Sequence, residues 1–189
     1  LRVDPRGSPF AQLLTVHVHD VDSDGPRFDH AVFTATVKLR PQLLIGFDDW
    51  QTTPVSAVAL LILLDQFPRN IYRGDPRSFA TDAKALSVVQ ALVDSAKVKS
   101  LIPAQRFFVY VPFEHSEKLV HQNRCVALMR ELNEEFPGLD DGLKSGLDYA
   151  IRHRDVIERF GRFPHRNEVL GRESTPAEVE FLQQPGSRF

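Results

Sequence analysis

The chain has 189 residues, 42% of them hydrophobic and 25% charged, with a formal net charge of −2. That length holds one core of ordinary size, and the near balance of charge argues against nucleic acid or an anionic membrane as a partner. The lone cysteine, Cys125, excludes an intrachain disulfide framework and a cysteine-rich zinc site, and fits a cytoplasmic protein.

Residues 1–25 carry Pro5, Gly7, Pro9 and Gly25 and read as an irregular arm. Its one ordered candidate is an edge strand over the alternation Thr15-Val16-His17-Val18-His19. His17 and His19, followed by Asp20, Asp22 and Asp24, read as a solvated acidic stretch rather than a metal site. The chain opens on Leu1 rather than Met, so the lack of a recognisable leader carries no weight.

Residues 26–189 read as a single helical domain. Apolar positions 28, 32, 33, 37 and 39 form a helical stripe over Phe28–Arg40, closed by Pro41. Thr53-Pro54 is an N-cap with proline at the first helical position. It opens the longest apolar run, Val55–Leu64, about half what a bilayer-spanning helix needs and therefore a buried central helix. Pro68 is expected to stop that helix, because the residue before proline avoids the helical region.

Further helices are expected over 81–96, 103–111, 116–136 and 141–160. In the third, Leu119, Val126, Met129, Leu132 and Phe136 share a face, with Ser116 as cap and Pro137-Gly138 as terminator. A last short helix opens at Thr175-Pro176, with Glu178 completing a capping box. The expected architecture is all-α, built as antiparallel helix pairs in a bundle.

Several polar groups interrupt this pattern. On the helix ending at Phe160, His153 and Arg154 fall in a gap of the apolar stripe, so at least one should face inward. An orphaned buried polar group costs roughly 1–3 kcal/mol, so partners are required, and Asp65, Asp82, Glu114 and Glu117 are the candidates. Either these groups form an internal ion-pair network that sets helix register, or they line a pocket for an anionic or amide-bearing ligand. Glu117 and His121 stand at i and i+4, with Glu114 a third potential metal ligand, but such spacing arises often by chance. Acidic residues that offset a helix dipole explain Glu114 and Glu117 as well, and no metal or other cofactor is expected. Cys125, one turn after His121, reads as a small buried thiol rather than a nucleophile. Arg69, Arg73 and Arg77 mingle with Asp65 and Asp75 in what reads as a salt-bridged turn. No Gly-rich phosphate loop, nucleophile elbow or paired-His metalloprotease motif is present.

One short phrase occurs twice. LLDQFPRNIYRG and RFGRFPHRNEVLG each close an apolar run with Phe-Pro and then present Arg-Asn. In both, Phe67 or Phe163 should anchor in the core, and Pro68 or Pro164 should break the helix. Asn70 or Asn167 can then bond nearby backbone, while Arg69, Arg162, His165 and Arg166 reach for carboxylates or helix C-termini. The two turns are thus expected to deliver arginines to a shared interior or groove.

The runs LLILLDQFPRNIYRG, FATDAKAL, YVPFEHSE and HRDVIERFGRFPHRNEVLGRESTPAEVEFL resemble, in order, the domain-of-unknown-function 924 family. The resemblance covers about Phe28 to Phe189 and implies a mostly helical, tetratricopeptide-like fold, with no activity, substrate or cofactor attached. Residues 1–25 depart from it, since the family usually opens with an aromatic-rich helix containing Phe-Trp-Phe.

The leading expectation is a polar groove that binds a small molecule or peptide. Asp65, Arg69, Asn70, Glu114, His115 and His153 would line it, together with Arg154, Arg162, His165, Arg166 and Asn167. The rival is an enzyme in which His153 or His165 acts as base, Glu114 as acid or partner, and Arg69 or Arg166 stabilises an anion. A third reading is a purely structural helical-repeat interaction module. Oligomeric state is not legible in the sequence.

Overall fold

The computed structural model describes residues 48–188. The expected arm over 1–25, with its candidate strand, and the expected helix over 28–40 lie outside the described residues. The chain from Asp49 onward packs as one unit. Its helices are α1 (Pro54–Leu61), α2 (Phe67–Ile71), α3 (Asp82–Asp94), α4 (Pro103–Glu114), α5 (Leu119–Glu135), α6 (Asp141–Phe160) and α7 (Pro176–Leu182). Short 3₁₀ turns intervene at Asp48–Gln51, Pro76–Phe79, Lys97–Ser100 and Pro164–Arg166, and no strand occurs among the described residues. The fold is all-α, as expected. None of the described helices is long and apolar enough to cross a membrane.

Helix entries follow the local chemistry. Thr53 caps α1, its Oγ1 accepting from the Ser56 N–H at 3.2 Å ahead of Pro54. Asp140 caps α6 through the Leu143 N–H at 3.1 Å, and Gly161 closes it in the left-handed conformation that glycine adopts without strain. The Thr175–Glu178 capping box forms with both of its bonds. Helix α5 departs from expectation. It starts at Leu119 rather than Ser116, and Ser116 Oγ instead accepts from the Lys118 N–H before the helix begins. Leu119 is then exposed, while Val126, Met129 and Leu132 hold the buried face.

Two prolines do not end their helices. Pro112 lies inside α4, which runs on to Glu114. The α1 helix continues through a π turn at Ile62–Gln66 into α2, with Pro68 near the start of α2. Pro68 has no N–H to offer the Leu64 carbonyl one turn back. The Thr81 hydroxyl, from just ahead of α3, donates to that carbonyl in its place. The break expected at Pro68 becomes a widened turn because a remote side chain satisfies the orphaned carbonyl.

Three helices form the body. Arg106 at the start of α4 bonds Glu135 at the end of α5, at 2.8 Å, while Gln122 near the start of α5 donates to the Glu114 carbonyl, at 2.5 Å. Those pairings make α4 and α5 antiparallel. Asn133 near the end of α5 reaches the Lys144 carbonyl near the start of α6, and Glu117 ahead of α5 accepts from the Phe163 N–H beyond α6, so α5 and α6 are antiparallel too. At Gly146 on α6 a Cβ would lie 2.3 Å from Phe107, so only glycine permits this approach of α4. Leu60, Leu61, Leu64, Val89, Val109, Phe113 and Leu132 are almost wholly buried, each contributing roughly 1.5–3 kcal/mol.

Thr81→Val should lower unfolding stability in urea by about 1–3 kcal/mol, the cost of leaving a buried carbonyl unpaired. A matched Thr53→Val change should cost about 1 kcal/mol through the lost cap.

Candidate functional site

The π turn places Asp65 inside the protein, 2% exposed. A buried carboxylate must be paired. Its Oδ1 meets His115 Nδ1 at 2.7 Å and Arg69 Nη1 at 3.2 Å, and its Oδ2 accepts from Gln66 Nε2 at 2.6 Å. Burial alone would raise the pKa of Asp65, but His115, Arg69 and Gln66 together hold it below the ordinary carboxylate value. Burial also depresses His115, against the opposing pull of Asp65. The pair is therefore an ionised Asp65 accepting the Nδ1–H of a neutral imidazole, whose Nε2 has no hydrogen-bond partner among the described residues.

The two repeated turns converge on Asp82, in the first turn of α3. Arg69 Nη1 and Nη2 donate to its two carboxylate oxygens, both at 2.9 Å. Arg166 Nη1 stands 3.8 Å from the same carboxylate. The Arg166 guanidinium carbon lies 4.4 Å from the ring centre of Phe163 and 4.8 Å from that of Phe79. The Arg166 side chain is only 7% exposed. It makes no side-chain hydrogen bond among the described residues, and its Nε is buried without an acceptor. Burial and then the charge of Arg69 lower Arg166 to about 10, a sign that positive charge is under-compensated there.

Beside this pair of arginines, His115, His153, Phe163 and His165 form a row of rings with successive centroids 6.4, 5.6 and 5.5 Å apart. His153 donates Nδ1–H to the Tyr149 carbonyl at 2.8 Å, with Glu114 Oε1 at 3.4 Å from the same nitrogen. Burial, reinforced by the charge of Asp65, raises Glu114 to about 8, so it carries a proton at neutral pH. Burial lowers His153 to about 3 and His165 to about 4, leaving both neutral. Glu117 closes the row by accepting from the Phe163 N–H and from both terminal nitrogens of Arg172.

The structure brings together Asp65, Arg69, Glu114, His115, His153, His165 and Arg166 of the expected set, tied by these contacts and charges. Asn167 is buried next to them, its Nδ2 on Ser174 Oγ and its Oδ1 without a partner among the described residues. Three expected members stand apart. Asn70 is exposed and donates to the Gln66 carbonyl, and Arg154 pairs with its neighbour Asp155. Arg162 pairs with Glu178, which those hydrogen bonds hold down to about 2, and so anchors α7. His153, rather than Arg154, is the inward residue of its pair.

Glu114, Glu117 and His121 do not gather: His121 bonds Ser116 Oγ and Gln90, while Glu117 holds Arg172. Among the described residues, no group of three or more His, Cys, Asp or Glu could hold a metal ion. Cys125 is fully buried, its thiol pushed well above its ordinary pKa by burial. Arg77 forms a local pair with Asp75 in the expected salt-bridged turn.

Sequence reasoning missed the organising role of Asp82 and the packing of Arg166 against Phe79 and Phe163. It also missed Arg172, and Arg106, fully buried between Tyr110 Oη and Glu135. Only the place of Asp82 in the first turn of a helix with an apolar periodic run gave a local signal.

An all-α protein with a charged cluster at the meeting of two Phe-Pro turns is the class that fold and site define. The chain belongs to the bacterial proteins of unknown function gathered as DUF924, whose family model matches residues 23–186. It is similar to a solved structure, the protein of unknown function ATU0120 from Agrobacterium tumefaciens, at 39% identity and a TM-score of 0.63. That match covers 74% of this chain and 73% of the other. No curated protein sequence matches the chain.

The pKa directions predict a characteristic stability profile. Glu114, raised to about 8, binds a proton more tightly in the folded state, so its contribution is full below the unfolded value near 4.5 and is lost as pH rises towards 8. His153, lowered to about 3, acts oppositely, adding stability as pH rises from 3 to 6.5. The two offset each other between 4.5 and 6.5, and above 6.5 Glu114 acts without that offset. Wild-type stability should therefore fall by about 1 kcal/mol per pH unit between 6.5 and 8 relative to Glu114→Gln, measured by urea unfolding. Parallel profiles for the two proteins would show that Glu114 is ionised in the fold.

Proposed function

We propose that this chain is a cytoplasmic small-molecule-binding protein whose site takes an anionic group, a carboxylate or a phosphate, on Arg166 and Arg69. The single observation that carries this reading is the state of Arg166. A guanidinium with a 7% exposed side chain stands 3.8 Å from its nearest acid and makes no hydrogen bond among the described residues. Buried charges are ordinarily paired and hydrogen-bonded, so an incoming anion supplies what this one lacks. Arg69 adds a second cation, and the neutral rings of His115, His153 and His165 add polar, uncharged neighbours.

A peptide carboxylate meets the same chemistry. The antiparallel run of α4, α5 and α6 supports a tetratricopeptide-like reading of the fold, in which helix faces hold such a segment.

Inorganic phosphate and succinate, titrated against the full chain, should raise its melting temperature. Saturation at about 100 times Kd corresponds to roughly 2.7 kcal/mol of added stability. Arg166→Met should remain folded and lose that response. If Arg166→Met instead unfolds the chain at about 3–5 kcal/mol, the cost of orphaning a buried ion-pair partner, the arginine is structural and the site reading is wrong.

A further inference from the structure

His115 stands out from the other two histidines of the row. Its Nδ1 is fixed by a carboxylate 2.7 Å away, which sets the tautomer and leaves the lone pair on Nε2. Nε2 has no partner among the described residues, and the side chain keeps 16% of its surface exposed. The same Asp65 oxygen that holds His115 lies 3.2 Å from Arg69, and Arg69 shares Asp82 with Arg166. One chain of contacts thus ties an oriented, neutral imidazole to two guanidinium groups.

Both arginines keep donors in reserve. Arg69 uses three of its five N–H groups, on the Asp65 carbonyl and the two Asp82 oxygens. Arg166 uses none in a hydrogen bond among the described residues. Two guanidinium groups with free donors suit a dianion with three terminal oxygens better than a single carboxylate. Glu114, next in sequence to His115, has its Oε1 3.4 Å from His153 Nδ1 in the ring row that His115 begins, and burial keeps a proton on its carboxyl.

We propose that this site is a phosphomonoesterase centre, in which His115 Nε2 attacks the phosphorus of a phosphomonoester whose oxygens rest on Arg69 and Arg166. The inference rests on the anion-binding reading of the site and adds a reaction to it. As the N–P bond forms, the P–O bond to the leaving group breaks with its electron pair, and the alkoxide takes the carboxyl proton of Glu114. Water then attacks the phosphohistidine. One water proton returns to Glu114, the N–P pair returns to His115, and inorganic phosphate leaves. Asp65 is a positioning residue, holding the Nδ1–H through both steps. The reaction consumes no oxidant, reductant or second substrate beyond water.

The test uses the full chain, with p-nitrophenyl phosphate as substrate and inorganic phosphate as ligand. Wild type should release p-nitrophenol, and His115→Asn should lower that rate by at least 100-fold while changing phosphate affinity less than threefold. Asp65→Asn should lower kcat with little change in KM. Base-quenched turnover of wild type should leave an acid-labile phosphoryl group on His115 by peptide mass spectrometry, a readout that survives even if the variants fail to fold. Phosphate binding without turnover overturns this inference and leaves the binding reading standing. No phosphate binding removes the phosphate arm of both. Turnover unchanged in a folded His115→Asn protein, or a phosphoryl group found on another residue, also overturns it.

Discussion

Asp82 receives Arg69 head-on and Arg166 from further away, and through them it joins three parts of the chain far apart in sequence. It sits in the first turn of α3, where the helix dipole already favours negative charge. Arg69 then carries the charge pattern inward to Asp65, which in turn orients His115. The cluster is therefore a chain of dependencies rather than a set of independent pairs, and loss of Asp82 would leave two guanidinium groups facing each other.

The two acids Asp65 and Glu114 show how environment assigns different roles to like groups. Both are buried, and burial pushes both towards the protonated form. Asp65 has an imidazole N–H, a guanidinium and an amide on its oxygens and stays ionised. Among the described residues the Glu114 carboxyl pairs only with the neutral His153, and it feels the negative charge of Asp65, so it keeps its proton. One ionised and one protonated carboxyl close together is the arrangement that separates base and acid roles in a site.

Arginine is used for two purposes in this fold. Arg106, Arg162 and Arg172 are each matched to a carboxylate by short bonds, at 2.8, 2.6 and 2.7 Å, and lock helix ends together. Arg166 is more enclosed than Arg162 or Arg172, yet among the described residues it meets rings and a more distant acid rather than a short carboxylate bond. The contrast within one molecule separates arginines that complete the structure from one that leaves a capacity unused.

Caps and periodic stripes were legible in the sequence because they are local: Thr53-Pro54, the Thr175–Glu178 box and the span of α6 depend on residues within one or two turns of each other. The doubled Phe-Pro-Arg-Asn phrase was also legible, and with it the convergence of Arg69 and Arg166. The paths of the helices through Pro68 and Pro112 were not, nor was the separation of Asn70, Arg154 and Arg162 from the cluster. The sequence by itself determined an all-α chain, most helix boundaries among the described residues to within a few positions, and most of the charged groups that meet. Only the tertiary structure decided which acid each arginine received and which histidine was oriented. The physical reason is that those outcomes rest on register between remote helices. A hydroxyl on Thr81 can replace the N–H that Pro68 lacks, and a carboxylate on α3 can claim two turns whose own sequence is indifferent to it.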